Sequence, residues 1–363
     1  MKKIALYIHI PFCKKKCNYC DFYSIEKKES LIDLYLQTLE KEIKNFDRNI
    51  SVKTLYFGGG TPSILNKDQI KTLFLIIKNN FDLSTIEEIT FEANPESFSE
   101  EKLELLQSFT QDIKKDVLRL SIGVQSFNDE ILNSAGRIHT KKDVYKILEM
   151  LKRYKINNFN IDLIFGFNEQ TLDDIKNDLY ETIQFSPAHI SCYALTVEEN
   201  TLLFKNKYMP DFDLQAEMYD LIVEKLSENG YNRYEISNFS NPNFECKHNL
   251  NYWNYGEYLG FGCSAVSFIE NKRIKNVSNV EEYIIGKYFY ETEVLSMEQQ
   301  IKERIMLGLR TVNGIKIDEE YISKYEKAIQ QNLDRNYLIL DKSQLKINDK
   351  YWCLSNEIIS TFF

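Results

Sequence analysis

Six short apolar runs, rich in β-branched and aromatic residues, recur through the first 195 residues, and each leaves room for a helix before the next. They are KIALYIHI (3–10), VKTLYFGG (52–59), EEITFEAN (87–94), VLRLSIGV (117–124), NFNIDLIF (158–165) and AHISCYAL (188–195). Between them lie stretches with apolar residues at helical spacing, such as LIDLYLQTLEKEIKNF (31–46) and DQIKTLFLIIKNN (68–80). This alternation predicts consecutive βα units around a parallel sheet. Right-handed crossovers curl such strands into a barrel, and six rather than eight leave it incomplete and open at one side. The expected fold class is α/β: a partial (β/α)6 barrel over residues 1–210, with a smaller C-terminal α+β accessory domain.

The pattern changes after residue 210. An extension over 211–297 begins with one long amphipathic helix, DLQAEMYDLIVEKLSENG, closed by Gly230, and continues as aromatic-rich strands and loops through YLGFGCSAVSFI. Residues 298–363 read as the accessory domain, helical with a closing hairpin over 337–355. At 43% apolar and 13% aromatic, the 363 residues can fill a sizeable core. The net charge of -9 offers no electrostatic footprint for a nucleic-acid backbone. The N-terminal MKKIALYIHIPFC has the lysines and apolar run of an export signal, but His9, Pro11 and Phe12 break the run. No stretch approaches the roughly 20 apolar residues that span a bilayer. A cytoplasmic protein whose seven cysteines stay reduced is therefore expected.

Residues capable of chemistry gather at the downstream ends of the predicted strands: a cysteine loop after the first, Gly58 to Thr61 after the second, then Glu92 and Asn94, Gln125, Asp162 and Tyr193. In a βα barrel these ends share one face, where active sites form. The cysteine loop, YIHIPFCKKKCNYCDFYS, spaces Cys13, Cys17 and Cys20 as C-x3-C-x2-C. A structural zinc would need a fourth ligand from His9 or a distant cysteine, and a catalytic zinc rarely rests on three thiolates alone. A redox pair at Cys17 and Cys20 would need a thioredoxin-like strand order. Buried structural cysteines seldom come three to a loop flanked by Lys14, Lys15 and Lys16. A [4Fe-4S] cluster suits three closely spaced thiolates and leaves one iron for a small chelating ligand.

The motifs YIHIPFC, YFGGGTPS, FEANPES, RLSIGVQSFND, GRIH, NIDLIFG and HNLNYW occur in this order between about residues 4 and 270. Together they resemble the radical SAM superfamily, and within it the family of oxygen-independent coproporphyrinogen III oxidases and HemW-type heme chaperones. The resemblance implies that Cys13, Cys17 and Cys20 ligate a [4Fe-4S] cluster whose open iron takes S-adenosylmethionine (SAM). It further implies SAM contacts at Tyr7, Tyr19, Gly59, Gly60, Thr61, Glu92, Gln125, Arg137 and Asp162, with Ala194 and Val266 beside the adenine. Gly58 belongs to the same turn, where missing side chains let backbone N–H and C=O groups approach a ligand; a tight βα turn is the alternative. His139, next to this set in GRIH, either faces the cofactor or is structural.

Two features separate the branches. HNLNYW, residues 248–253, resembles the HNxxYW signature of the HemW type, and imidazole is a natural heme ligand, so His248 is a candidate heme contact. The alternative for His248 is hydrogen bonding within an aromatic core. The oxidase branch resembles C-x3-C-x2-C-x-C, and here Phe22 stands at the last position; the oxidases also carry an extension before the first strand. The expected function is a heme chaperone holding a cluster, SAM and heme, with oxidative decarboxylation of coproporphyrinogen III as the alternative. Implied partners are heme, a heme-acceptor protein at the membrane, and an electron donor of flavodoxin or ferredoxin type. A homodimer and a peripheral position at the inner face of the membrane are also expected.

Overall fold

The computed structural model describes residues 2–26, 28–46 and 50–363. All six expected strands form: β1 Lys2–Ile10, β2 Ile50–Gly59, β3 Glu88–Ala93, β4 Leu118–Gln125, β5 Phe159–Phe165 and β6 His189–Ala194. They pair in chain order, each parallel to the next. The helices between them include α1 Glu29–Lys44, α2 Lys67–Asn80, α3 Glu100–Ile113, α4 Lys141–Arg153 and α5 Leu172–Gln184. Asn66 starts α2 with a capping box: its side chain accepts from the N–H groups of Asp68 and Gln69, and the Gln69 side chain accepts from the Asn66 N–H. The helix then buries Ile70, Leu73, Phe74 and Ile77, with the Phe74 ring 5.8 Å from that of Phe57 on β2.

Each strand divides its side chains by parity. Ile8, Leu55, Phe57, Ile89, Phe91, Leu120, Ile122, Ile161 and Ile190 belong to the main hydrophobic core under the helices. The alternate positions turn to the concave side, and there the side chains are polar: Tyr7, Thr54, Tyr56, Glu88, Glu92, Arg119, Ser121, Asn160, Asp162, His189 and Ser191. Hydrogen bonds tie neighbouring members of this set together, Asn160 to Ser121 and Asp162, and His189 and Ser191 to Asn160.

The 211–297 segment extends this sheet at both edges. After α6 Phe212–Glu228 come β7 Asn232–Arg233 and β8 Asn238–Ser240, and β8 runs antiparallel to β6. After α7 Lys247–Trp253 come β9 Tyr258–Phe261, β10 Val266–Ile269, β11 Lys272–Asn276 and β12 Phe289–Val294. Strand β9 lies parallel to β1, giving twelve strands in the order β12-β11-β10-β9-β1-β2-β3-β4-β5-β6-β8-β7. Glu42 of α1 anchors the addition, accepting from the Gly262 N–H, the Asn276 amide and the Tyr283 hydroxyl.

The C-terminal residues form α8 Met297–Gly308, α9 Glu319–Asp334 and a three-stranded sheet of β13 Ile315–Lys316, β14 Leu338–Asp341 and β15 Gln344–Ile347. Their apolar side chains, among them Ile305, Leu309, Leu338 and Trp352, join the same continuous core as the barrel. Among the described residues no helix is long and apolar enough to cross a membrane.

Candidate functional site

The cysteine loop leaves β1 at Pro11 and is stitched into place along its length. Phe12–Cys13 pairs with Ile25–Glu26, closing the loop on itself. Lys14 donates to the Glu96 carbonyl at 2.7 Å. The Asn18 N–H and side-chain amide donate to the carbonyls of Ala135 and Ser134, and the Asn18 carbonyl accepts from the Leu203 N–H. All seven cysteines are free thiols. Cys13 is buried, and Cys17 and Cys20 are partly exposed. Burial holds the Cys13 thiol above its ordinary pKa and pushes Cys20 up to about 11, with repulsion from neighbouring thiolates adding to both. The Thr61 hydroxyl, which donates to Cys13 Sγ at 3.5 Å, counters this at Cys13, and Arg137 Nη1 donates to Cys17 Sγ at 3.4 Å. Such a site ionises readily only when positive charge arrives. Among the described residues no three His, Cys, Asp or Glu side chains converge closely enough to chelate one metal ion.

Next to the loop, the glycine turn after β2 is packed against β1. The N–H groups of Gly60 and Thr61 donate to the carbonyls of Ile10 and Phe12, both at 2.8 Å. A Cβ at Gly60 would lie 2.7 Å from the Phe12 carbonyl oxygen, and one at Gly59, whose φ is +112°, would lie 2.7 Å from the His9 ring. A tight turn alone accounts for these two glycines. Gly58 differs: its missing Cβ makes room for the Glu92 carboxylate, which it would otherwise meet at 3.0 Å. Glu92 accepts from the Tyr56 hydroxyl at 2.6 Å, yet burial pushes its pKa up to about 7. Tyr7 also neighbours Glu92 electrostatically, and its hydroxyl bonds His9 Nδ1 at 3.1 Å.

Arg137 is the hub of the opposite wall. Besides Cys17, it donates through Nη2 to Asn94 Oδ1 at 2.8 Å and to the Gly123 carbonyl at 2.9 Å. Asn94 in turn donates to Thr61 Oγ1, so one amide links the arginine to the threonine that holds Cys13. Gln125 ends β4 at a register irregularity with φ of 70°, and its side chain, with those of Asn94 and Arg137, crowds the space above Gly123. Asp162 accepts from Ser121 at 3.1 Å and Asn160 at 2.7 Å, and burial raises its pKa. Tyr19 packs edge-on to Phe167 in a small apolar cluster with Leu195 and Leu203. Ala194 lies exposed at the end of β6, and Val266 lies half-buried at the start of β10, so these two flank the parallel strands from either side.

His248, the candidate heme contact, lies in the barrel interior. The side chain is 0% exposed, and both ring nitrogens are engaged, Nδ1 with Thr54 Oγ1 at 2.9 Å and Nε2 with the Tyr252 hydroxyl at 2.8 Å. Both nitrogens are thus engaged in hydrogen bonds, and the ring sits among the aromatic rings of Tyr56 and Tyr252. His139 is likewise inside, bonded to the Val124 carbonyl at 3.0 Å and 3.4 Å from Glu96. Phe22 stands 71% exposed beside the cysteine loop.

Two contributors escape a reading by strand ends. Tyr56 holds Glu92, and Arg119 is a buried cation that favours the charged forms of Glu92 and Asp162, while Asn94, at a strand end, links Thr61 to Arg137. The signal that finds them is the polar parity itself, Thr54/Tyr56, Glu88/Glu92 and Arg119/Ser121, which marks a polar barrel interior.

Residues 7–179 match the model of the Radical SAM superfamily. The chain is 35% identical to the heme chaperone HemW of Lactococcus lactis across 99% of this chain and 97% of that protein. It is 36% identical to HemW of Bacillus subtilis, covering 90% and 88%, and 38% identical to HemW of Escherichia coli, covering 78% and 76%. Among solved structures, coproporphyrinogen III oxidase (HemN) from Escherichia coli superposes with a TM-score of 0.85 over 99% of this chain and 90% of that one. At 22% identity that likeness establishes the fold, a partial radical SAM barrel with an accessory domain. Full-length identity above 30% establishes more: the chain belongs to the HemW family of the radical SAM superfamily.

Proposed function

We propose that the chain is a heme chaperone that carries a [4Fe-4S] cluster on Cys13, Cys17 and Cys20, binds SAM across the adjoining strand ends, and delivers heme to an acceptor protein. The observation that carries this reading is the match to proteins named heme chaperone HemW along 99% of the chain.

The residues fit both groups. Three thiols on one loop, with Cys13 and Cys20 held protonated by burial, suit a polynuclear iron centre that takes one thiolate per corner. When bound, the cluster would supply a redox-active iron centre with one corner not held by protein. Arg137 would hold SAM's carboxylate while fixing Cys17, helped by Gln125. Glu92 would accept from the amino group, beside the backbone of Gly59 and Gly60 and near Thr61. Asp162 would take the ribose hydroxyls, with Tyr7 and Tyr19 lining the methionine end and Ala194 and Val266 bordering the adenine. An electron donor of flavodoxin or ferredoxin type would approach the lysines of the cysteine loop.

Anaerobic reconstitution tests the reading. The loaded protein should bind heme, seen as a shifted Soret band, and leave coproporphyrinogen III unchanged. Cys17→Ala should lose the cluster's absorbance and its electron paramagnetic signal after reduction. Accumulation of protoporphyrinogen IX would replace the chaperone with the oxidase.

A further inference from the structure

The HNLNYW segment leads from the family-specific extension straight to the carboxylate assigned above to SAM. Its helix, α7, is fastened to β3 at Glu88, whose two oxygens accept from the N–H groups of Lys247 at 2.9 Å and His248 at 3.0 Å. Glu88 and Glu92 lie on the same face of β3, both toward the barrel interior. The segment then reaches β2. His248 Nδ1 bonds Thr54 at 2.9 Å, and the imidazole lies against the Tyr56 ring, centroids 5.0 Å apart at 36°. Tyr56 closes the circuit by donating to Glu92 Oε1 at 2.6 Å.

The rest of the motif holds the histidine. Tyr252, one turn along α7, bonds His248 Nε2 at 2.8 Å and stands edge-on to it, centroids 4.9 Å apart. The Tyr252 ring is wedged in turn against Tyr258 on β9 at 4.6 Å. Burial pushes the His248 pKa down to about 3, so the ring is neutral near pH 7, with one nitrogen donating and the other accepting. On the far side, the Tyr56 ring meets that of Tyr7 at 6.0 Å. Tyr56 is therefore gripped between two rings, with its hydroxyl at Glu92.

We propose that His248 is a positioning residue for Glu92, acting through Tyr56, and that the HNLNYW segment serves the SAM end of the site instead of contacting heme. The proposal rests on the reading of Glu92 as the acceptor for SAM's amino group. A heme ligand at His248 would have to give up both side-chain hydrogen bonds and leave the interior. A positioning role uses every contact it has.

The test compares Tyr56→Phe, His248→Ala, His248→Gln and Glu92→Gln with the parent, all carrying the reconstituted cluster. Equilibrium dialysis with labelled SAM and a Soret titration with heme are run side by side. Tyr56→Phe, which keeps the ring packing, should weaken SAM binding about tenfold, the scale of one hydrogen bond to a charged group. His248→Ala should weaken it by about threefold or more, and His248→Gln, which keeps a polar group near Tyr252, should recover part of the loss. Heme affinity should stay unchanged in all three. In cluster-free protein, isotope-edited infrared titration should find the Glu92 carboxyl harder to ionise in Tyr56→Phe. The proposal is overturned if His248→Ala weakens heme and spares SAM, or if Glu92→Gln weakens SAM while Tyr56→Phe does not. If Glu92→Gln itself leaves SAM affinity intact, the reading of Glu92 falls first and takes the proposal with it.

Discussion

Burial pushes the carboxyls of Glu92, Asp178 and Glu235 up to about 7, whereas His9 and His248 are pushed down to about 4 and 3. The signs oppose each other. A carboxyl whose folded pKa exceeds its ordinary 4.5 binds more protons when folded, so its contribution is present at low pH and is lost as pH rises toward 7. A histidine with a depressed pKa stays neutral when folded, so stability is lost instead as pH falls below 6.5. Glu235, 1% exposed between β7 and β8, isolates the first effect. Urea denaturation of cluster-free protein should find that Glu235→Gln loses less stability than the parent between pH 5 and 8. The difference should be on the order of 2–3 kcal/mol. At this scale the cysteines, Glu92 and Asp162 stand out in the sequence by their chemistry and strand-end positions, whereas Arg137, in the loop after a short helix, stands out only through the GRIH motif of the resemblance. Tyr56 and Arg119 do not stand out, since a tyrosine or arginine inside a strand reads as surface until the concave side is known to be polar.

Elements meet the site through tight backbone approaches, and the glycine turn after β2 separates two causes. Gly59→Ala must adopt a φ of +112° and place a Cβ 2.7 Å from His9, against β1. Chemical denaturation should register a loss of about 2–4 kcal/mol. Gly58→Ala carries no positive φ, and its Cβ meets the Glu92 carboxylate and the Tyr56 ring. It should cost less stability and more SAM affinity, read by the same dialysis assay. Helix and strand existence was legible from periodicity. The irregularity between Gly123 and Gln125 was not, because it depends on the pairing of β4 with β5.

Across the whole molecule, the expected units at 1–210 and 211–297 share one sheet, and 298–363, with a three-stranded sheet of its own, joins them in one core. Residues 232–240 continue the barrel sheet and also grip the C-terminal segment. Glu235 bridges Thr311, the N–H groups of Ile236 and Val312 donate to the carbonyls of Arg310 and Tyr234, and the Arg233 guanidinium lies 4.3 Å over the Trp352 ring. The intact chain should melt in a single transition, followed by circular dichroism. A chain ending at residue 297 should unfold at lower temperature with a broadened transition, because it bares the faces of β7 and β8. A second, independent transition in the intact chain would mark the C-terminal segment as a separately folding domain.

Residue type and spacing by themselves determined the six βα units, the thiol triplet and the family, since short-range periodicity and ordered motifs survive without coordinates. Only the tertiary structure decided what HNLNYW touches. Its histidine lies 194 residues from Thr54 in the chain, and the two are brought within 2.9 Å by a helix fastened beneath the barrel strands. Which partner claims a buried imidazole depends on that long-range packing, and no local pattern encodes it.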